Sequence, residues 1–484
     1  MFLSDWRRSA ACLLAAAAAG VAGAQTPPLP AAVASAQAAP AAPDSAQAYA
    51  EFELGKWAEL QAETKGGPDF IKRALQHYTA AMAADPHSAF IAAQMADLLS
   101  RLGRTDDATS LAQSVVKEHP GSIVAHETLG TIYLRQLSHQ RQPIRGAAMD
   151  AAMAEYKKLV ALAPGKASYL VVLGKLYGAQ GQPVEAEEEF RAALALDPIS
   201  GDAVASLVQS LAGQGRLNDA RKAIEALPPE ARGGQAYATL GDAYLNQHLY
   251  REAADAFRQA VAARPDDPDY QRALAQALAQ DGNFAAALAE YQRLQREIPE
   301  DGDAPLRVAQ MQMQMGDLAA AGASLDLARA RLGANDLEVA YATAMLDESK
   351  GHDRLALAAL RALAARPGSP GTQVIILTEL ARVQMRTGDS DGALASLHQI
   401  EGLGPSYRVR AHALEAELYS QQRDFPRALA AVRAALHDQP DSRSLHLTYA
   451  NLLAASGQTA AAEAEVRPLM QGNAVDWDLY LALG

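Results

Sequence analysis

Prolines recur in this chain at intervals of 34 residues: Pro86 and Pro120, Pro164 and Pro198, Pro265 and Pro299. Between them one pattern returns. It is an apolar-Gly/Ala-x-x-Tyr/Leu segment, a turn that often holds glycine, then Ala-x-x-x-aromatic/apolar-x-x-Ala. The stretch 167–198 is its fullest copy, with Leu173, Gly174, Tyr177, Gly181, Ala186, Phe190 and Ala193 ahead of the closing Pro198. Proline ends each unit because it cannot continue a helix interior, and Asp85 or Asp197 before it favours the turn. The Gly or Ala of the first helix faces the Ala of the second, so two backbones can approach closely. The large residue four places after that alanine is expected to fill the gap against the next unit. One such pair cannot bury its apolar face alone, so the units must stack.

This helix-turn-helix signature resembles the tetratricopeptide repeat (TPR). The resemblance predicts an all-α solenoid, a right-handed superhelix of about twelve repeats over residues 48–474. The first repeat carries a longer loop around Gly66-Gly67-Pro68, and the third an insertion over Leu137–Gly146. The fifth ends early at Pro228-Pro229, while the eighth and ninth are degenerate in sequence. In the last ten residues Trp477, Tyr480, Leu481 and Gly484 recur at i, i+3, i+4 and i+7. That spacing marks one helix face and predicts a short capping helix over 475–484.

Apolar residues make up 49% and charged residues 20%, the balance of packed helices and not of a disordered chain. A net charge of −13 offers no general basic footprint, so nucleic acid is not an expected partner. Arg7 and Arg8 precede a short apolar stretch from Ala10 to Ala22, and Ala22-Gly23-Ala24 forms a small-x-small site. This predicts a secretory signal peptide over 1–24, cleaved after Ala24, and a periplasmic protein. The apolar run is too short to span a bilayer comfortably, so no stable membrane insertion is expected after cleavage. The sole cysteine, Cys12, falls inside the signal, which leaves the mature chain without disulfides or thiolate ligands. Residues 25–47 are rich in Ala and Pro and read as a semi-extended linker.

Catalytic patterns are missing from the sequence. It has no His-Glu-x-x-His, no Gly-x-Ser-x-Gly elbow and no Walker-type phosphate loop. A non-catalytic protein without cofactor or metal is expected. His412 and His446 are 34 apart and occupy equivalent places in adjacent repeats. A metal would need their ring nitrogens to converge with further ligands; none is evident, and they read as ordinary helix residues. In the run Gln310 to Met315 only Met311 and Met315 share a helix face, so gap-filling is favoured over a soft-metal site. The insertion holds His139, Arg141 and Arg145, and reads as a neutral loop ahead of a basic contact site.

In superhelices of the resembled family the first helices line a concave groove, with their ninth and thirteenth positions pointing into it. On that alignment Gln209 comes first, followed by the pairs Asp242 and Asn246, Gln276 and Gln280, and Gln310 and Gln314. Members of a pair, four apart, share a helix face. Side-chain amides both donate and accept, which suits an extended peptide backbone. Family members that grip C-terminal carboxylates use Lys and Asn at the fifth and ninth positions. Here Ala93 with Asp97, and Val171 with Lys175, depart from that pattern. The reading is a protein- or peptide-binding scaffold; the alternative is a TPR subunit of an envelope assembly or polysaccharide export apparatus.

Overall fold

The structure, a computed structural model, describes residues 44–139 and 146–470. The expected signal peptide, most of the Ala/Pro-rich linker, the centre of the insertion and the expected capping helix lie outside the described residues. Among the described residues are twenty-four α-helices in twelve consecutive pairs, and no strand. They fall into two compact units, one ending at Asp266 and one beginning at Asp267.

The first unit holds six pairs. They are α1 (Ser45–Lys65) with α2 (Pro68–Ala84), α3 (Ala89–Arg101) with α4 (Thr105–Glu118), and α5 (Ile123–His139) with α6 (Ala147–Leu162). Then come α7 (Ala167–Gln180) with α8 (Pro183–Leu196), α9 (Gly201–Gly213) with α10 (Leu217–Glu225), and α11 (Gly234–Asn246) with α12 (Tyr250–Ala263). The second unit begins with α13 (Pro268–Gln280) and α14 (Phe284–Glu297), α15 (Asp303–Gln314) and α16 (Leu318–Leu332), then α17 (Leu337–Ser349) and α18 (Asp353–Ala364). It continues with α19 (Pro370–Arg386) and α20 (Ser390–Gly402), α21 (Pro405–Gln421) and α22 (Phe425–Asp438), and α23 (Arg443–Ala455) with α24 (Thr459–Val466).

The prolines sit where the repeat places them, and the residues around them explain why the chain turns there. Asp85 and Asp197 follow the last turns of α2 and α8 and accept from the backbone N–H of His87 and Ile199. Ser88 and Ser200 then cap α3 and α9 by accepting from the N–H of Ile91 and Ala203. One Asp-Pro-x-Ser tetrapeptide thus satisfies a helix end and the next helix start. The short α10 is closed differently: Arg232 donates to the carbonyls of Leu227 (2.9 Å) and Glu225 (2.7 Å), and a 3₁₀ turn at Pro229–Ala231 follows. The first repeat departs from expectation. Gly66 and Gly67, both at positive φ, make a two-residue turn, and the extra length lies in α1 and α2.

Each pair is built on one close approach. A Cβ added to Gly174 on α7 would lie 2.6 Å from Cε1 of Phe190 on α8. The same holds for Gly241 under Phe257 at 2.7 Å, Gly55 under Tyr78 at 2.7 Å and Gly130 under Tyr156 at 3.0 Å. The large residue four after the alanine therefore packs on the glycine of its own repeat as well as toward the next one, where Tyr156 meets the ring of Tyr169 on α7 edge-on at 6.4 Å. Elsewhere the two sizes trade off in register, with Ala309 and Leu325, Ala381 and Leu397, and Val208 and Ile224, all buried. Of the methionine run, Met311 is buried and Met313 packs on the Leu306–Leu325 core, but Met315 is exposed, so gap-filling does not describe it.

Among the described residues, the turn inside a pair takes a residue at positive φ, two of them at Gly66 and Gly67. Glycine supplies it at Gly181 (80°) and Gly282 (79°), whereas Arg423 stands there at 60°. A left-handed conformation costs a non-glycine residue about 1–2 kcal/mol, partly offset by the greater unfolded-state entropy of glycine. Arg423→Gly is expected to stabilise the second unit by about 0.5–1 kcal/mol, read as a higher urea midpoint with unchanged slope. A lower midpoint would show that Arg423 makes a stabilising contact in solution.

Candidate binding surface

The ninth and thirteenth positions divide into two populations. In the second to fourth repeats the charged ones among them, Asp97, Arg101, Arg135 and Lys175, are paired internally. Arg101 donates from Nη2 to Glu59 (3.0 Å) and from Nε to Asp97 (3.0 Å). Arg135 donates to the other oxygen of Asp97 (3.2 Å) and to Oγ of Ser100 (2.6 Å). Glu59 is itself buried and accepts from the Tyr78 hydroxyl at 2.7 Å. Burial, then this carboxylate, push the Tyr78 pKa far above its ordinary value. Lys175 in turn pairs with Asp202 at 2.8 Å. In the second unit Arg382 pairs with Glu379, and Arg386 with Glu348 and Asp353.

The expected amide positions behave otherwise. In the first unit Asp242 and Asn246 are exposed on α11, and Gln209 is half-buried on α9. In the second, Gln276 and Gln280 on α13 and Gln314 on α15 are exposed. None of these six side chains is hydrogen-bonded within the described residues. Gln310 is the exception: it is half-buried, and its Oε1 accepts from Arg307 at 3.2 Å. Asp242 is open to water, yet desolvation by the surrounding protein pushes its carboxyl up to about 6; solvent access moderates that push. The structure thus leaves polar groups available at these positions, while it neutralises the charged ones elsewhere. Of the insertion, Leu137 is buried on α5, and residues 140–145 lie outside the described residues.

Two family models, both described as tetratricopeptide repeat, match residues 71–132 and 178–240, and 239–302 and 413–467. The chain belongs to the tetratricopeptide repeat family. Cellulose synthase operon protein C of Pseudomonas fluorescens (strain SBW25) is 25% identical over 216 residues. That match covers 43% of this chain but spans only 17% of the relative's length. Among solved structures, the APC/C hetero-tetramer Cut9-Hcn1 aligns over 84% of this chain and 98% of its own, with 12% identity and a TM-score of 0.38. YrrB, a TPR protein with an unusual peptide-binding site, aligns over 39% of this chain and 93% of its own, with 18% identity and a TM-score of 0.31.

A recurrent TPR contact escaped the sequence reading. His126 on α5 faces Glu155 of α6 through Nδ1 (2.5 Å) and the Pro120 carbonyl through Nε2 (3.1 Å). His446 on α23 repeats this with Glu465 of α24 and the Pro440 carbonyl, the latter at 2.7 Å. Each ring ties the proline that closes one repeat to the second helix of the next. The Glu465 carboxylate, then the Pro440 carbonyl, raise the pKa of His446, because a protonated ring donates to both. A raised histidine stabilises the fold fully below its unfolded value of about 6.5 and loses that contribution as pH rises through the folded value. The urea midpoint of the second unit is therefore expected to fall between pH 6 and 8.5 by more in the natural chain than in His446→Gln. Equal falls would remove the ring from the balance.

Proposed function

We propose that this TPR protein is a non-catalytic protein- or peptide-binding scaffold of the bacterial periplasm, using the exposed amides of α13 and α15 to hold a partner's extended backbone. The observation that carries the reading is the contrast between the internally paired Asp97, Arg101, Arg135, Lys175, Arg382 and Arg386 at equivalent positions and the unbonded Gln276, Gln280 and Gln314. An amide that is exposed and unpaired has both a donor and an acceptor to offer. Asp242 and Asn246 supply the corresponding groups within the first unit. Export rests on the Arg7-Arg8, apolar and Ala22-Gly23-Ala24 pattern. Among the described residues no helix is long and apolar enough to cross a membrane.

A second reading, a TPR subunit of an envelope assembly or polysaccharide export apparatus, is favoured by the likeness to cellulose synthase operon protein C. Under it the amides would hold a component of that apparatus. One experiment addresses both. Affinity capture from the periplasmic fraction is compared for the natural chain and Gln276→Ala/Gln314→Ala, with proteins identified by mass spectrometry. Each lost amide contact is expected to weaken the partner by about 0.5–1.5 kcal/mol without changing the urea midpoint. Capture that is equal for both chains would return these residues to a solvated helix face.

A further inference from the structure

His412 occupies the same place on α21 as His446 does on α23, but its surroundings are different. Its Nδ1 faces two carboxylates from two helices, Oε2 of Glu415 at 3.4 Å and Oε1 of Glu401 at 3.5 Å. All three side chains are half-buried, and their ligand atoms lie within 4.8 Å of one another. Glu415 follows His412 by three residues on the same face of α21. Glu401 comes from the last turn of α20, where the helix carbonyls already carry partial negative charge. Two carboxylates and a helix C-terminus thus converge on one imidazole nitrogen. Among the described residues no lysine or arginine pairs with either glutamate.

His126 and His446 each meet one carboxylate, and the other ring nitrogen is held by a proline carbonyl. Their rings are fully engaged in joining repeats. Among the described residues His412 makes no such proline carbonyl bond, and it meets a second carboxylate that the other two histidines lack; Glu415 also faces the Tyr419 side chain. The 3.4 and 3.5 Å separations match the edge of a tetrahedron around an ion bound at 2.0–2.1 Å, which is about 3.4 Å. Imidazole nitrogen with carboxylate oxygens is a donor set suited to zinc and not to soft Cu(I).

We infer that Glu401, His412 and Glu415 form a site for a divalent transition cation, with Zn²⁺ as the fitting ion, bound through Nδ1 of His412 and one oxygen of each glutamate. Two carboxylates neutralise the 2+ charge, and water would complete the tetrahedron. Bound there, the ion joins the end of α20 to the body of α21 and so stiffens the junction between two repeats. The site takes no part in the amide surface of α13 and α15.

The test is calorimetric titration of the tag-free, chelator-treated full chain with Zn²⁺ alone in a non-coordinating buffer. The natural chain is expected to take up one saturating equivalent and to melt at a higher temperature in its presence. His412→Gln and the isosteric pair Glu401→Gln/Glu415→Gln are expected to weaken that equivalent by more than 100-fold, beyond the about 10–100-fold that loss of an outer partner brings. His437→Gln, a change at a highly exposed histidine, should leave it unchanged. Circular dichroism of each variant confirms that the helices are intact. The inference is overturned if the natural chain shows no saturating equivalent. It is equally overturned if the glutamine variants keep that equivalent or if His437→Gln removes it.

Discussion

The contact on which the rest of the structure depends is an aromatic ring lying on a glycine. Gly174 under Phe190, Gly241 under Phe257, Gly55 under Tyr78 and Gly130 under Tyr156 bring two helices of a pair closer than any side chain would permit. Burying a ring of this size contributes about 1.5–3 kcal/mol relative to leaving it in water. Where glycine gives way to alanine at the eighth position, the opposite residue is mostly smaller: Leu325, Leu360, Leu397 and Val432 stand across from Ala309, Ala344, Ala381 and Ala416. Tyr291 opposite Ala275 keeps its ring. Interiors pack at crystal-like density, so such compensation is what holds neighbouring pairs to one geometry.

That geometry decides which residues remain for other tasks. With the eighth position buried, the ninth and thirteenth on the same helix emerge on another face. In the early repeats this face is closed by the chain from Glu59 through Arg101 and Asp97 to Arg135. Such a chain fixes adjacent first helices and leaves little charge to attract a ligand. At Gln276, Gln280 and Gln314 the same face carries unbonded amides. The fourth position tells a parallel story. His126 and His446 are clamps between repeats, while His412, with two carboxylates on one nitrogen, is a cation site.

The periodic part of this was legible in the sequence because it is local. Proline every 34 residues, glycine or alanine at fixed offsets and a ring four after alanine are repeated often enough to read directly. Spacing places the ring toward the next repeat, as Tyr156 against Tyr169 shows, but it does not reveal that the same ring lies on the glycine of its own repeat. At Gly66-Gly67 the sequence suggests a long loop because two lengthened helices shift the register as a loop would. Ion pairs were invisible for a different reason: Arg101 and Glu59 are 42 residues apart, and Arg135 and Asp97 are 38 apart. Equivalent numbering made His412 and His446 look alike, although Glu465 has no counterpart in the preceding repeat, where Ala431 stands. The amide positions were named from the repeat alignment, but only the pairing of their counterparts distinguishes them.

The most direct measurement is a double-mutant cycle on one glycine and its ring. Gly174→Ala, Phe190→Leu and the double variant are compared with the natural chain by urea unfolding. If the glycine exists to admit the ring, Gly174→Ala destabilises by about 1–3 kcal/mol because the added methyl overpacks the contact. The double variant, which recreates the Ala–Leu pairing of other repeats, is then more stable than the sum of the single changes allows, by about 1–2 kcal/mol. Strict additivity would mean that the ring and the glycine are independent, and would contradict the account.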